Sequence, residues 1–545
     1  GISQAQSRNE NIKGAQRTYN RLDSRAYASY GILKTNALLS LTSEEQPENQ
    51  PQNRYNFGLD ARYARIGIGD AYPRMPSLIL DGRRVRGVTG DLLLGAFNVN
   101  ASSGEIIREV RDSVPRTLRR TLTAVRPSFG KGENFQWGFT YLKAKDEFDK
   151  NPPVVVKPQE NVVLGSDLLI AFDDRRIEFA SQASFSLNNI DISVPEFTVD
   201  SIDAAIARKT IAKSDGDNLK KFLPYVTKLI TLNENLVPIN PIGLTSLVYE
   251  TAFSVNYFGN YLKGSYMFHG KDYSSSGATS IRKDIKGYNV TDRLRLFGNT
   301  LFLTGTFENL QNNTSGYEIS TTTYKTMNTS VSLFPSSTLP NITIGYVVNQ
   351  NTNTVNPLDT NQQLAQRAID EETKRYFVQM SYDFSLWGRH NTTLSVDIAN
   401  KDDRTPKNQD IKSMNGFLLI NTTHTFPLES TVGLSLSKNT IPQLKIDSSS
   451  GTPLAKLVLE PLDYSTITLN ARYKLYKDIL KLSATFAPTF GDFERTMIES
   501  SLQYSFAQNQ ALVLQAQFIA NKASKISTQE NTNDSFISLL YRIDF

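Results

Sequence analysis

The sequence predicts an all-β fold, a transmembrane antiparallel β-barrel of about 24–26 strands with one helical insertion. Three observations predict it. Apolar and polar side chains alternate with period two, short and long connections alternate along the chain, and no apolar run is long enough for a membrane-spanning helix. The mean hydropathy of −0.35 fits this fold, because only every second residue of a barrel strand faces lipid.

The composition excludes several classes of function. The 545 residues include no cysteine, which excludes disulfides, Cys-ligated metals and thiol catalysis. The three histidines, His269, His390 and His424, are too far apart in sequence for a familiar metal site or catalytic triad. We therefore predict no enzyme activity, no catalytic residue, no cofactor and no metal. The net charge of +5 gives no reason to expect a nucleic-acid partner.

The alternation is clearest near the C-terminus. In the segment Thr466 to Leu475, every second residue is apolar: Ile467, Leu469, Ala471, Tyr473 and Leu475. The intervening residues are polar, and the same pattern recurs at 480–486, 512–520 and 288–296. Strands of about ten residues span a bilayer when they are tilted. The pattern thus predicts strands with one face toward lipid and one toward water.

The connections indicate how the strands are joined. Long polar connections, such as Asn351 to Glu371 and Lys145 to Glu160, alternate with tight turns. The predicted tight turns lie at Lys131-Gly132, Asp174-Arg175, Gly259-Asn260, Gly298-Asn299, Pro335-Ser336, Trp387-Gly388, Phe426-Pro427, Tyr476-Lys477 and Gln508-Asn509. A soluble sandwich or propeller has no reason to segregate its loops in this way. Short turns at one rim and long loops at the other are typical of outer-membrane barrels.

The predicted strands begin with a hairpin of 18–31 and 32–43 and end with 534–545, about 25 in all. Single-chain bacterial barrels have an even strand number, so either an additional strand at 4–16 or one miscounted hairpin would give 24 to 26. The region 60–100 is the least regular, because its glycines blur the alternation.

One segment, residues 188–243, departs from the strand pattern. It contains two predicted helices, Ser201 to Lys213 and Asp217 to Asn233, the second with Asp217 as N-cap and Pro224 as a residue that kinks or shortens it. Its apolar positions at helical spacing are Leu219, Phe222, Val226, Leu229 and Ile230. By loop parity the insertion starts at the extracellular rim. It is a gate or plug, a docking surface, or a loop decoration.

The last strand of the chain carries a resemblance to known proteins. Apolar residues alternate up to a terminal aromatic residue: Ile537, Leu539, Tyr541, Ile543 and Phe545. This resembles the C-terminal targeting strand of bacterial outer-membrane proteins. The resemblance implies that the barrel-assembly machinery reads Tyr541, Ile543 and Phe545, and that this strand closes the sheet against the first.

A second resemblance lies in the segment Leu80 to Gly87 and the Asn/Thr-rich hairpins. These are similar to large outer-membrane barrels of the Bacteroidota and Chlorobi kind, with no specific characterised family. The resemblance implies a place in the outer membrane of a Gram-negative bacterium. Outer-membrane lipid and lipopolysaccharide would then surround the wall.

Positive charge concentrates at the N-terminal end, where residues 1–130 hold 19 Lys plus Arg against 12 Asp plus Glu. One interpretation places five arginines in the lumen, where they would favour anions. These are Arg83, Arg84, Arg86, Arg119 and Arg120. The alternatives are that they pair with acids such as Asp81, Asp91 and Glu105, or that they face lipopolysaccharide phosphates at the rim.

The predicted size of the barrel constrains its function. A 26-stranded cylinder is roughly 50 Å across, whereas diffusion porins need only about 16–18 strands. An empty lumen of that width would leak, so we predict a transport conduit occupied by its own insertion or by a periplasmic or lipoprotein plug subunit. The alternative is a structural or adhesive scaffold whose extracellular loops dock lipoproteins or surface components.

Overall fold

The computed structural model describes residues 2–12, 15–110, 116–148, 156–209, 211–239, 244–278, 280–336, 338–358, 365–407, 409–447, 454–476, 478–522 and 531–544. In these residues the chain forms 27 strands and two helices. No helix among them is both long and apolar enough to cross a bilayer.

The strands of the first half precede and flank the two helices. They are β1 (Ile2–Ile12), β2 (Ala15–Tyr30), β3 (Leu33–Thr42), β4 (Arg54–Ala61), β5 (Ala64–Ala71), β6 (Val85–Leu93), β7 (Phe97–Ile107), β8 (Arg119–Phe129), β9 (Phe135–Glu147), β10 (Glu160–Phe172), β11 (Ile177–Asn189), β12 (Leu236–Val237), β13 (Leu247–Tyr257) and β14 (Asn260–His269). The helices, α1 (Val199–Ala207) and α2 (Lys213–Val226), lie between β11 and β12.

The second half of the described chain contributes thirteen further strands. They are β15 (Ile285–Leu296), β16 (Leu301–Gln311), β17 (Thr322–Leu333), β18 (Asn341–Asn353), β19 (Asp370–Ser385), β20 (Gly388–Asp403), β21 (Ile411–His424), β22 (Leu428–Asp447), β23 (Leu454–Leu475), β24 (Leu480–Gly491), β25 (Arg495–Ala507), β26 (Gln510–Asn521) and β27 (Thr532–Asp544).

The sheet is antiparallel and closes on itself. The first strand, β1, pairs with β2 on one side and with β27 on the other, with Ile2 opposite Asp544. The two-residue strand β12 pairs only with β11 at the rim, so the wall has 26 strands. The predicted barrel and its range of strand number are therefore confirmed, and β1 is the additional strand expected near the N-terminus.

Short and long connections lie at opposite rims, as the sequence indicated. The turns after the even-numbered strands β2 to β10, and after the odd-numbered strands β13 to β25, have two to seven residues. The other rim carries most of the long loops, including 43–53, 72–84, 270–284 and the insertion after β11. Antiparallel pairing of neighbouring strands produces this separation, because alternate connections return to the same rim.

The two faces of the wall differ in polarity. On β23, Ile467 and Leu469 are 39% and 44% exposed on the outward face. The alternate residue Asn470 donates a 2.7 Å hydrogen bond to Thr485 on the inward face of β24. Hydroxyl and amide ladders of this kind satisfy the inward polar groups, while apolar side chains form the outer surface.

Exposed aromatic side chains mark the rim of short turns. Each of the 12 short turns has one at the turn or within two residues of it: Tyr30, Tyr63, Phe97, Phe129, Phe172, Phe258, Phe297, Phe334, Trp387, Phe426, Tyr476 and Phe506. Aromatic rings concentrate at membrane–water interfaces because one edge is apolar and the other tolerates water. The ring of aromatic side chains therefore places one membrane boundary at this rim.

The helices of the insertion have bounds different from those predicted. The first begins at Val199 because Thr198 and Ser201 form a capping box, with reciprocal side-chain to backbone hydrogen bonds. The second begins at Lys213 rather than Asp217. It ends at Val226, shortly after Pro224, whose ring cannot donate the backbone hydrogen bond that continues a helix.

The insertion packs against the outward face of the wall. Ile202 and Ile230 are buried in a cluster with Val162 of β10 and Leu187 of β11. Val162 and Leu187 are register partners, and Val162 lies two residues from Leu164, which is 44% exposed on the outward face. The helices are thus attached outside the barrel wall near the long-loop rim.

Candidate functional site

Two long loops fold onto the inward face of the wall. They are 72–84, between β5 and β6, and 270–284, between β14 and β15, and we call them the inward loops. Ile79, Leu80 and Tyr273 are fully buried in one cluster with inward side chains of β6 to β10 and β13. The wall residues in that cluster are Val85, Ile106, Leu122, Ala124, Leu142, Ala144, Val163 and Val248. The inward loops thus cover an apolar patch on the inward face of the wall.

The inward loops are hydrogen bonded to each other. The Tyr273 hydroxyl donates to the carbonyl of Leu78 at 2.6 Å, and the Ser275 hydroxyl donates to the carbonyl of Ile79 at 2.6 Å. Burial raises the pKa of Tyr273 well above its ordinary value, so the phenol remains a donor at physiological pH. Each bond satisfies a buried carbonyl that would otherwise lack a partner.

A buried wall residue holds the second inward loop in place. The Asn161 side-chain amide donates to the carbonyls of Leu187 at 3.1 Å and Ser274 at 2.9 Å. Its oxygen accepts from the backbone N–H of Ser276 at 2.8 Å. One side chain therefore connects β10, β11 and the loop 270–284.

Close packing between loop and wall depends on a glycine. A Cβ atom at Gly277 would lie 2.5 Å from the carbonyl oxygen of Ile79 and 2.7 Å from Leu142. Any larger residue would push the two inward loops apart or lift them from the wall.

A cavity of about 520 Å³ lies beside the inward loops on the inward face. The Arg126 guanidinium lines it and forms a bidentate pair with Asp167, with distances of 3.0 and 2.5 Å. Arg126 is only 8% exposed and also donates to Asn100. This geometry leaves the pair electrically neutral and fixed in orientation.

A second polar chain links the cavity to the loop 72–84. Gln182 donates to Ser77 at 2.8 Å and to Glu250 at 2.9 Å, and Glu250 lies 3.0 Å from Nε2 of His269. The other ring nitrogen of His269, Nδ1, lies 2.7 Å from the carbonyl of Arg282. His269 therefore bridges Glu250 of the wall and the backbone of the loop 270–284.

In the described part of the chain, no three His, Asp or Glu side chains group closely enough to hold a metal ion. The site consists of a cavity, the side-chain pairs Arg126–Asp167 and His269–Glu250, and two packed loops. This arrangement can bind or obstruct a solute that enters the lumen.

The closed wall, its apolar outer face and the aromatic ring at one rim decide the class of protein. The chain is a large outer-membrane β-barrel protein. It lies in the outer membrane of a Gram-negative bacterium.

Comparisons with known proteins add likenesses in fold. No protein-family model matches the chain, and no curated protein matches it. Among solved structures it is similar to BauA, the ferric preacinetobactin receptor from Acinetobacter baumannii, at a TM-score of 0.41 and 7% identity, covering 99% of this chain and 80% of that one. It is also similar to the FrpB iron transporter from Neisseria meningitidis, at a TM-score of 0.37 and 8% identity, covering 99% of this chain and 81% of that one. The P pilus usher PapC translocation pore is similar at a TM-score of 0.32 and 10% identity, covering 100% of this chain and 99% of that one.

The five arginines predicted for the lumen do not form one lining. Arg120 points inward, where it forms a bidentate pair with Asp146 at 2.6 and 2.7 Å. Arg119, its neighbour on β8, therefore points outward and pairs with Glu105 and Glu147. The prediction of a lumen position is wrong for Arg119, because a strand turns successive side chains to opposite faces.

The remaining three arginines lie around the start of β6. Arg86 follows the inward Val85 on β6, so its side chain points outward, where it forms a bidentate pair with Asp70. The predicted lumen position is therefore also wrong for Arg86. Arg84 lies in the loop, 3.6 Å from Asp70. Arg83 forms no hydrogen bond or ion pair within the described residues, and burial with the neighbouring guanidiniums of Arg120 and Arg84 lowers its pKa.

The helix residues predicted for a gate or docking surface have separate positions. Leu219, Phe222 and Val226 lie in α2, and their side chains fall outside the described part of the structure. Leu229 and Ile230 follow the helix instead of belonging to it. Ile230 is buried, and the carbonyl of Leu229 accepts a 2.8 Å hydrogen bond from Lys143 on the outward face of β9.

The predicted assembly residues lie on the closing strand. Tyr541 points outward on β27 and stacks on Phe506 at a centroid distance of 6.2 Å. Ile543 lies on the same face by alternation, and Phe545 lies outside the described residues.

The sequence analysis missed the inward loops. Leu78, Ile79 and Leu80 are three consecutive apolar residues within a long polar connection, and such a run indicates a buried loop. The aromatic residue at each short turn was a second signal. Asn161 and Gln182 had no local signal, because an inward polar residue is ordinary in a barrel strand.

Proposed function

We propose that the protein is an outer-membrane conduit whose lumen is narrowed by the inward loops. The supporting observation is that both loops pack on the inward face of a closed wall, with Ile79, Leu80 and Tyr273 fully buried. Loops that merely decorate a rim have no reason to bury apolar residues against the inside of a barrel.

The width of the barrel supports an occupied lumen. Twenty-six strands give a cylinder roughly 50 Å across, and loops of 13 and 15 residues cover only one sector of such a wall. The remaining space would be filled by cargo in transit or by a periplasmic or lipoprotein plug subunit. Assembly of the wall would depend on the barrel-assembly machinery reading Tyr541, Ile543 and Phe545.

Ion conductance in planar bilayers tests the proposal. Tyr273→Ala removes the buried ring that joins the inward loops and should raise the conductance or the frequency of open events. Leu358→Ala is the matched control, because Leu358 is 80% exposed in another long loop. If neither the native protein nor Tyr273→Ala conducts ions under any condition, the conduit is refuted.

A reversible cross-link gives an independent measurement. Asp81 and Ala278 are partners in a backbone bridge between the inward loops, a separation that suits a disulfide. The sequence has no other cysteine, so the double variant Asp81→Cys with Ala278→Cys forms one defined bond. The oxidised form should show fewer open events than the reduced form. Identical currents would show that the inward loops do not gate the lumen.

The position of the insertion favours a second candidate function, a scaffold that docks other envelope components. Its helices pack on the outward face and leave the lumen clear. Deleting 201–233 should then leave conductance unchanged while abolishing capture of a surface partner. A rise in conductance on deletion would instead identify the insertion as a gate.

A further inference from the structure

The cavity beside the inward loops has the dimensions of a binding site for a small molecule. Its volume of about 520 Å³ falls in the range of about 300–1,000 Å³ that such sites occupy. Arg74, Met75 and Pro76 of the loop 72–84 form one side. Residues of five wall strands, β8, β10, β11, β13 and β14, form the other side.

The acidic groups of the cavity already have partners. Asp167 accepts two hydrogen bonds from Arg126, which is only 8% exposed. Glu250 accepts a hydrogen bond from Gln182 and lies 3.0 Å from Nε2 of His269. Both carboxylates are thus engaged by groups of the protein itself.

Two basic groups of the cavity have no partner. Arg74 and Lys263 both line it, and within the described residues neither forms an ion pair or a side-chain hydrogen bond. Lys263 is close enough to Glu250 to influence that carboxylate, but makes no contact with it. The unpaired charge in the cavity is therefore positive.

Apolar side chains make up much of the remaining lining. Met75 and Met267 offer flexible thioether surfaces, and Ala180 and Ala252 leave room between them. An apolar body of about the size of one aromatic ring would bury itself there, with its charged end toward Arg74 and Lys263.

We propose that this cavity binds small organic anions, carboxylates with a compact apolar body, on their way through the lumen. The inference rests on the proposed conduit, through which the anion would reach the cavity. Arg74 and Lys263 attract the carboxylate, and the methionines and alanines contact the body. The bidentate pair of Arg126 and Asp167 keeps the floor rigid and neutral.

The probe is 4-fluorobenzoate, titrated into the detergent-purified full chain and followed by 19F NMR line broadening. We expect 4-fluorobenzoate to bind the native protein saturably. The amine 4-fluorobenzylamine should bind with much lower affinity. Arg74→Gln and Lys263→Gln should each weaken binding by about two- to five-fold, as for loss of one exposed ion pair. The control, Lys34→Gln, removes an inward cation of β3 outside the cavity and should leave affinity unchanged.

A second variant tests the cavity without changing charge. Ala252→Trp places a large side chain into the space and should abolish binding of 4-fluorobenzoate, while the variant retains the heat-dependent gel mobility of a closed barrel. Equal binding by Ala252→Trp and the native protein would overturn the proposal. The proposal would also be overturned if the double variant Arg74→Gln with Lys263→Gln bound 4-fluorobenzoate with the affinity of the native protein. Tighter binding of 4-fluorobenzylamine than of 4-fluorobenzoate, or no binding of 4-fluorobenzoate to the native protein, would have the same consequence.

Failure of this inference is distinguishable from failure of the proposed function. Binding is measured in detergent and does not require ion flow. Binding without conductance would refute the conduit and leave the anion site, whereas conductance without binding would refute the anion site alone.

Discussion

The Tyr273 hydroxyl donates a hydrogen bond of 2.6 Å to the carbonyl of Leu78, a residue 195 positions earlier in the chain. Tyr273 is fully buried and Leu78 is 3% exposed. This bond joins the two inward loops at the centre of their apolar contact. Removing the donor alone leaves a buried carbonyl unsatisfied, which costs more than the net contribution of the bond.

Tyr273→Phe should therefore destabilise the inward loops by about 1–3 kcal/mol without removing the ring. Amide hydrogen exchange in 76–81 and 273–278 should become faster, with exchange in distant strands unchanged. Tyr317→Phe, at an exposed position, is the control. Unchanged protection in both segments would show that packing alone holds the inward loops.

Arg126→Met should lower barrel stability by about 3–5 kcal/mol, because it leaves Asp167 as an uncompensated carboxylate in a position only 19% exposed. The temperature at which the folded gel band disappears would measure this loss. Arg65→Met breaks an inward pair with Asp60 whose partners are 56% and 43% exposed, and should change stability by about 0–1 kcal/mol. Equal shifts for the two variants would contradict the expected role of burial.

The loop after β16 should loosen in acid. Burial alone would raise the pKa of Asp284, but hydrogen bonds from the Thr314 hydroxyl and the backbone N–H groups of Thr314 and Asn313 outweigh it, so the pKa lies below its ordinary value. A lowered pKa means that the carboxylate stabilises the fold above its unfolded pKa and loses this effect as pH falls through the folded value.

Exchange of the Asn313 and Thr314 amides should therefore stay slow at neutral pH and lose protection below about pH 4. Asp284→Asn should lack the pH-dependent part of this protection. Asp174→Asn, in a short turn at the opposite rim, is the matched control. Protection that persists to pH 2 in the native protein would contradict the expectation.

The aromatic ring should anchor the barrel in the membrane. Phe258 and Phe297 are 100% and 78% exposed at neighbouring short turns. Replacing both by Ser should weaken insertion into lipid vesicles, by about 1–2 kcal/mol for each ring that loses its place at the interface. Tyr317→Ser, in a long loop at the other rim, should have a smaller effect. Equal effects at the two rims would argue against an interfacial ring at the short turns.

Much of the barrel was predictable from sequence because its signal repeats in each strand. Alternation in segments such as 466–475 requires no knowledge of distant residues, and the tight turns at Gly259 and Gly298 limit the register. Both glycines have positive φ, a conformation that turns of this kind need. Closure of the wall was implied by the resemblance of the last strand to the C-terminal strands of outer-membrane proteins, and the pairing of β1 with β27 confirms it.

The site was less predictable because it depends on contacts distant in sequence. Nothing near Tyr273 indicates that Leu78 is its partner, and nothing near Gln182 indicates Ser77. The placement of five arginines in the lumen was inferred from charge alone. Strand parity separated Arg119 from Arg120, since adjacent residues on a strand cannot share a face.

The insertion shows an intermediate case. Two helices were predicted and two are present, but the capping pair Thr198 and Ser201 was overlooked and the second helix was given too late a start and end. The apolar residues at helical spacing between 219 and 230 lie partly in α2, which ends at Val226, and partly in the segment that follows it. A buried extended residue such as Ile230 looks the same in sequence as a helical one.

The pairing of β1 with β27 has a consequence for biogenesis. Until the last strand meets the first, the sheet has two open edges, each with unpaired backbone donors and acceptors. Such edges pair readily with other chains, so the protein is exposed to aggregation until the two ends of its sequence have joined.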